Sequence, residues 1–332
     1  MTQIYYSLDS LKNIIKKENP SKIVLVTSNK LKTKLKWAIS KILSSNKIEL
    51  VLIPDGEKSK NWNEAEKLLS KLFSHNLDRK SLIIALGGGT VSDLVGFVSS
   101  VYLRGINYIG IPTTLLGQVD SAYGGKTAVN FKAYKNQVGT FHSPIAVIVE
   151  PKFIKTLLDE QIIDGLGEII KYGFIKDKEI LKLLKNKKLK DIKYNFKLLQ
   201  NLIKRSIKIK NLYVLNDFKD KGIRQMLNFG HTIGHGLELK YGISHGRAVL
   251  YGMIKELEIG EKLGVTKVGS KDKLITLLEN IGIKIENNLK PDWNVILRDK
   301  KIAGDQIVLP IIKSEGVSKL FKIKLTKLNE LI

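Results

Sequence analysis

A chain of 332 residues, 43% of them hydrophobic, has enough apolar mass to bury a large core, and its length suits two domains. It contains no cysteine, which excludes disulfides, thiolate nucleophiles and Cys-ligated zinc or iron–sulfur centres, and leaves His, carboxylate and water as donors for any metal. A net charge of +24 fits nucleic acid, an acidic membrane surface or an anionic substrate.

The charge is spread through segments such as KEILKLLKNKKLKDIKYNFKLL, 178–199, where lysines alternate with Leu and Ile at helical spacing, as on a solvated face. No zinc-finger spacing, basic zipper or aromatic RNA-binding signature accompanies it, so no nucleic-acid partner is expected. The N-terminus MTQIYYSLDS lacks a basic-then-apolar signal pattern, and no apolar run of about 18 residues occurs, so a soluble cytoplasmic protein without a membrane partner is expected.

In chain order, β-branched runs at KIVLVT (22–27), IELVLI (48–53), SLIIAL (81–86), NYIGI (107–111) and IAVIVE (145–150) alternate with helical patterns such as NWNEAEKLLSKLFSHN. Apolar strands separated by helices predict a doubly wound parallel sheet. From Pro151 helical patterns dominate, in PKFIKTLLDE, DGLGEIIKYGFI, the lysine-rich segment, GHTIGHGLELKYG and HGRAVLYGMIKELEIGEKLG, with one β-like patch, QIVLPIIK, near the end. The expectation is an α/β domain over residues 1–150 and a mostly α-helical domain over 151–332.

Three motifs carry chemistry. ALGGGTVSD, 85–93, follows a strand and opens a helix, where glycines let backbone amides approach a pyrophosphate; the dinucleotide fingerprint is incomplete, since Ser92 stands where its third glycine belongs. In IPTTLLGQVDSAYGGKTAVN, 111–130, Gly124-Gly125-Lys126-Thr127 resembles the end of a phosphate loop without its first glycine, which argues against a nucleotide triphosphatase and leaves a monophosphate or plain surface lysines. NFGHTIGHGLELKYGISHG, 228–246, holds three of the five histidines. His231 and His235 share a helix face, but Thr232 replaces the Glu that a zinc protease needs there. His245 follows a turn and can return to meet one or both of them, with Glu168 the carboxylate best placed to complete a site.

Taken together, ALGGGTVSDLVGFVSSVYLRG, IPTTLLGQVDSAYGGKTAVN, YKNQVGTFHSP, GLGEIIKYG, IRQMLNFGHTIGHGLE, HGRAV and RDKKIAGD stand in the order found in the 3-dehydroquinate synthase family, which the chain resembles from about residue 22 to 310. The resemblance implies an NAD-dependent, metal-dependent cyclase of the shikimate pathway. Its substrate is 3-deoxy-D-arabino-heptulosonate 7-phosphate, which loses phosphate during transient oxidation, is re-reduced, and closes a carbocycle by an intramolecular aldol step.

It further implies Glu168, His231 and His245 as ligands of zinc, with cobalt as an alternative ion. Glu57, Lys60, Gly88, Gly89, Thr90, Asp93, Thr113, Thr114, Leu116, Asp120, Lys126, Lys135 and Thr156 become NAD contacts, and Asp120, Lys126, Lys171, Asn228 and His235 catalytic residues. Lys135, Asn136, Lys210, Arg224, Lys300 and Lys301 become substrate contacts, and Arg104 an arginine able to reach a neighbouring subunit's site in a homodimer. A substrate carrying carboxylate and phosphate demands such cations.

Two positions depart from the family. Arg247 stands where HGEAV would have Glu, adding a positive charge beside the expected metal, and VTSNK lacks an aspartate often present for the cofactor. The competing readings are a metal-dependent polyol dehydrogenase, which would release reduced cofactor, a sister cyclase lacking a carboxylate clamp, and a nucleic-acid binder resting on charge alone. The set Lys210, Arg224, Asn228 and His235 argues against the dehydrogenase.

Overall fold

A computed structural model describes every residue except Met1, Ser45, Asn46, Ala133, Asn287, Asn288 and 298–301. Lys300 and Lys301 therefore lie outside the described residues. The chain divides into two compact units, Met1–Leu157 and Leu158–Ile332.

The first unit runs β1 (Gln3–Tyr5), α1 (Ser10–Glu18), β2 (Ile23–Ser28), α2 (Asn29–Lys34), α3 (Lys36–Leu43), β3 (Ile48–Ile53), α4 (Trp62–Ser74), β4 (Leu82–Gly87), α5 (Gly89–Val101), β5 (Asn107–Pro112), β6 (Lys126–Phe131), β7 (Tyr134–Phe141) and β8 (Ala146–Ile148). Six strands form a parallel sheet in the order β1-β8-β5-β4-β2-β3. Both faces are covered. Val24, Val26, Ile83 and Ala85 enter one apolar core with α4 and α5, while Leu25, Ile84, Leu86 and Ile109 enter another with α1 and α3. This is why the strands read as continuous apolar runs.

The chain leaves β2 for β3 on one side and returns to β4 on the other, so the strand order reverses between β2 and β4. Open α/β sheets bind ligands beyond the carboxyl ends of strands at such a reversal. The glycine turn after Gly87 stands at that point.

Outside the sheet, β6 and β7 form an antiparallel hairpin that sequence reading did not resolve. Its alternation, with Thr127 and Val129 buried and Lys126 exposed, is hidden by the glycine-lysine motif it begins in. The unit extends a few residues beyond Pro151 because the 3-10 helix Pro151–Thr156 places Phe153 in the α1/α3 core, against Trp37 at a ring separation of 5.4 Å.

The second unit runs α6 (Asp159–Ile175), α7 (Lys178–Leu184), α8 (Leu189–Tyr194), α9 (Phe196–Asn216), α10 (His231–Tyr241), α11 (His245–Lys262), α12 (Ser270–Ile281), α13 (Trp293–Ile296), β9 (Ile302–Ala303), β10 (Gln306–Ser314), β11 (Val317–Lys324) and α14 (Leu325–Leu331). QIVLPIIK lies within β10, whose Ile307 and Leu309 pack with Ile233, Leu237 and Tyr251 of α10 and α11. No described helix is long and apolar enough to cross a membrane.

Three helices of this unit approach one another through glycine. A Cβ on Gly246 would lie 2.4 Å from Asp164 Cα, one on Gly167 would lie 3.1 Å from Gly246 Cα, and one on Gly252 would lie 1.9 Å from Gly230 O. Backbone thus meets backbone between α6 and α11 and between α10 and α11. Glu168 and His245 are the residues adjoining the first of these contacts.

Candidate functional site

In the first unit, Gly88 caps α5 without any side-chain hydrogen bond, so the first-turn amides of a helix that follows a parallel strand stay open to an anion. A Cβ at Gly88 would meet Thr114 Cγ2 at 2.9 Å, which explains glycine there. Thr113 donates its amide to Gly87 O at 2.9 Å, and Gly117 donates to Thr114 Oγ1 at 3.0 Å, so the loop after β5 is tied to the turn. Leu116 precedes, and Asp120 sits within, the π-helical turn Gly117–Ser121.

Glu57 opens a 3-10 turn beside this helix end. Its Oε2 accepts from Thr90 Oγ1 at 3.0 Å and its Oε1 from Asn130 Nδ2 at 2.8 Å. Lys60, only 4% exposed, donates to Asp93 Oδ2 at 2.5 Å and to Asn136 Oδ1. Burial pushes the Asp93 carboxyl up despite that lysine. Lys126, Lys135 and Arg104 are exposed, and Arg104 follows Leu103 with both residues in the left-handed region, at φ 66° and 48°. Thr156 ends the 3-10 helix with its hydroxyl donated to Phe153 O at 2.8 Å.

In the second unit α6, α10 and α11 bring Glu168, His231 and His245 together, with one potential ligand atom from each residue within 4.8 Å of the others. Glu168 is 1% exposed. Its Oε1 lies 3.3 Å from His231 Nε2 and 3.5 Å from His245 Nε2 yet makes no hydrogen bond among the described residues. Its Oε2 pairs with Lys171. A buried carboxylate oxygen with no partner but two converging imidazoles is what a divalent cation would satisfy, so the donor set fits one.

The far ring nitrogens are also engaged. Phe229 O lies 3.1 Å from His231 Nδ1 and Glu238 Oε2 lies 3.2 Å from His245 Nδ1, which orients both Nε2 atoms inward. Burial alone would push the Glu168 carboxyl up, but Lys171 and the two imidazoles outweigh it and hold it well below the usual range. Burial pushes His231 down, favouring the neutral ring that a metal requires, whereas at His245 Glu168 and Glu238 outweigh burial and push the ring up to about 10, so a bound ion would have to displace that proton. His235 is exposed on the same helix, its ring edge-on to that of His231 at 5.4 Å and outside the three-residue cluster.

Lys171, Lys210 and Arg224 are 1%, 8% and 2% exposed, which separates them from the solvated lysines elsewhere. Arg224 and Asn228 belong to the 3-10 helix Ile223–Asn228, packed against α9, which carries Lys210; the Arg224 guanidinium donates to Phe218 O at 2.5 Å. Arg247 adds a positive charge that is paired. Its guanidinium forks onto Glu160, at 2.6 Å and 3.0 Å, and donates to Lys284 O at 2.6 Å, and this fork holds the Glu160 carboxyl below its ordinary range.

Four supporting residues escaped sequence reading, three of them because their partners are distant in the chain. They are Asn130 and Glu238, described above, Asp164, which accepts from Gly246 N at 2.8 Å, and Glu256, which accepts from Gly230 N at 3.0 Å. The E in GHTIGHGLE was the one available signal, a carboxylate one turn beyond the second helix histidine.

Comparison with known proteins gives a consistent result. The family model for 3-dehydroquinate synthase N-terminal matches residues 50–164, and that for 3-dehydroquinate synthase C-terminal matches residues 165–302. The chain is 42% identical over 313 residues to a 3-dehydroquinate synthase of Clostridium kluyveri, covering 91% of this chain and 86% of that one. It is 38% identical over 320 residues to one from Lactococcus lactis subsp. cremoris, covering 93% and 89%.

Among solved structures, 2-deoxy-scyllo-inosose synthase complexed with carbaglucose-6-phosphate, NAD+ and Co2+ superposes with a TM-score of 0.88 at 23% identity, covering 99% of this chain and 95% of that one. An iron-containing alcohol dehydrogenase from Thermotoga maritima gives 0.69 at 16% identity, covering 99% and 96%. Those two likenesses establish the fold. The family matches and the curated relatives go further: the chain belongs to the 3-dehydroquinate synthase family.

Proposed function

We infer that this chain converts 3-deoxy-D-arabino-heptulosonate 7-phosphate to 3-dehydroquinate and phosphate. The observation that carries the reading is the buried Glu168–His231–His245 cluster, with its unsatisfied carboxylate oxygen, in a chain 42% identical to a curated 3-dehydroquinate synthase. When bound, NAD supplies reversible hydride acceptance and the divalent ion acidifies a chelated hydroxyl pair.

The chain's own residues do the rest. The open amides at Gly88–Thr90 suit the cofactor's pyrophosphate, and the doubly held Glu57 carboxylate suits ribose hydroxyls. Lys126 and Lys135, with Asn136, Lys210, Arg224 and the Lys300–Lys301 pair, supply charge and hydrogen bonds for carboxylate and phosphate. His235, exposed and one turn from a ligand, suits proton transfer at the substrate, Asn228 and Asp120 contribute polar groups to the reaction, and Lys171 holds Glu168 ionised. Zinc is the resident ion in this reading, cobalt the alternative. The working form is a cytoplasmic homodimer with Arg104 turned to the partner, and the cofactor domain is the first unit, Met1–Leu157.

Turnover tests the reading. Purified protein with substrate and a trace of NAD should release phosphate in excess of the NAD added, without accumulating reduced cofactor. Stoichiometric reduced cofactor would instead identify a dehydrogenase.

The clamp gives a second test. Arg224→Leu removes a planar, two-pronged donor that lysine cannot imitate. A charge-assisted hydrogen bond contributes about 1.5–3 kcal/mol, so kcat/KM on the heptulosonate phosphate should fall roughly ten- to a hundredfold. Sedoheptulose 7-phosphate, which has no carboxylate, should be affected far less; equal damage to both would favour a sister cyclase.

The basic surface has no partner in this reading. Lysines of the 178–199 segment are taken up by carboxylates of the same unit where they pair, as Lys182 is by Glu179 and the buried Lys193 by Asp159 of α6. Any DNA binding should be weak, sequence-independent and lost steeply with added salt in a filter or fluorescence assay, because it would rest on counterion release. Selective binding at physiological salt would contradict this.

A further inference from the structure

We propose that Asn130 is a positioning residue that fixes the Glu57 carboxylate at the ribose end of the cofactor cleft; the proposal rests on the reading that NAD binds the first unit. Three observations carry it. The β6–β7 register shifts between Val129 and Phe131, so Asn130 sits at an irregularity in the hairpin and is released from the ladder. Bulges of this kind re-aim a side chain toward a neighbouring site. Here the freed backbone amide donates instead to Lys60 O at 2.8 Å, lashing the hairpin to the segment that carries Glu57 and Lys60.

The side chain then works in two directions. Its Nδ2 donates to Glu57 Oε1 at 2.8 Å, while its Oδ1 accepts from the amide of Asn136 at 3.0 Å. Asn136 needs that anchor, because it lies in the left-handed region at φ 56° and its own side chain receives the buried Lys60 ammonium. Thr90 holds the other oxygen of Glu57 from the first turn of α5. The carboxylate is therefore stretched between two supports, one on the pyrophosphate helix and one on the hairpin.

The asparagine amide meets both demands from two separate atoms, its nitrogen donating toward a carboxylate and its oxygen accepting from a backbone amide. An aspartate keeps the size but sets a second negative charge against Glu57. A carboxylate held in this way accepts hydroxyl groups of an unmodified ribose and repels a 2′-phosphate, so its orientation governs choice between NAD and NADP as well as affinity.

Isothermal titration of the purified, metal-loaded wild type and of Asn130→Ala and Asn130→Asp with NAD and with NADP tests the proposal. In Asn130→Ala the Kd for NAD should rise on the order of tenfold, the preference for NAD over NADP should fall at least threefold, and kcat at saturating NAD and metal content should stay near wild type. Asn130→Asp, nearly isosteric and so a safeguard should the alanine variant fail to fold, should weaken NAD at least as much. A Kd for NAD within twofold of wild type in either folded variant would overturn the proposal. So would a parallel loss for both dinucleotides with the preference unchanged, since that marks a purely structural asparagine. A wild type that binds neither dinucleotide would overturn the cofactor reading itself, and the proposal with it.

Discussion

His245→Ala should strip the divalent ion from the purified protein and abolish turnover, whereas His235→Ala should keep the ion and lose turnover alone. Removing His245 leaves the buried Glu168 Oε1 facing a single imidazole and takes away the ring nitrogen that Glu238 Oε2 holds at 3.2 Å. Loss of an outer partner typically weakens a metal about 10- to 100-fold, so loss of the donor itself should exceed that in a chelator competition. His235 stands outside the donor cluster and faces solvent. Its substitution should lower kcat by about 10²–10⁴, the usual range for a lost acid–base group. Metal analysis and single-turnover kinetics on both variants decide the matter, and equal metal loss would sink this division of labour.

Gly246→Ala should do almost as much damage without touching a donor. The new Cβ would meet Asp164 Cα at 2.4 Å and Ile163 O at 2.5 Å, backbone atoms of α6 that cannot rotate away. Either α11 shifts off α6 or the first turn of α11 distorts, and His245 is the residue next to the intrusion. Overpacking of this kind destabilises by about 1–3 kcal/mol. The accompanying fall in metal affinity should be at least tenfold, because the His245 ring would leave its place opposite Glu168. Thermal melts with and without excess zinc measure both effects. An unchanged metal affinity would mean that α11 adapts without moving His245.

These three substitutions mark what the chain reveals unaided and what it conceals. Strands β2 to β5 announce themselves because residues such as Val24 and Leu25 must be apolar on both faces, and the glycine turn because it interrupts them. The histidines advertise a metal because they cluster in a chain that has few of them. Packing between distant segments leaves no such trace. Gly167 and Gly246 look like any helix glycine until the fold presses one against the other. Arg247 reads as a stray charge until Glu160, on another helix, is found forked against it. The hairpin is concealed for a local reason, since its alternation starts inside a glycine-rich motif.

Each ligand of the candidate metal centre comes from a different helix, α6, α10 or α11, and the close glycine contacts are what bring those helices within reach. An unfolded chain therefore offers a cation no comparable set of donors, and occupancy of the centre becomes a term in the folding equilibrium of the second unit. Each tenfold rise in free metal above its dissociation constant then adds about 1.4 kcal/mol to the stability of that unit. Within that range the midpoint of its melting curve reports metal activity in solution, and a cell that runs short of the ion loses folded enzyme as well as turnover.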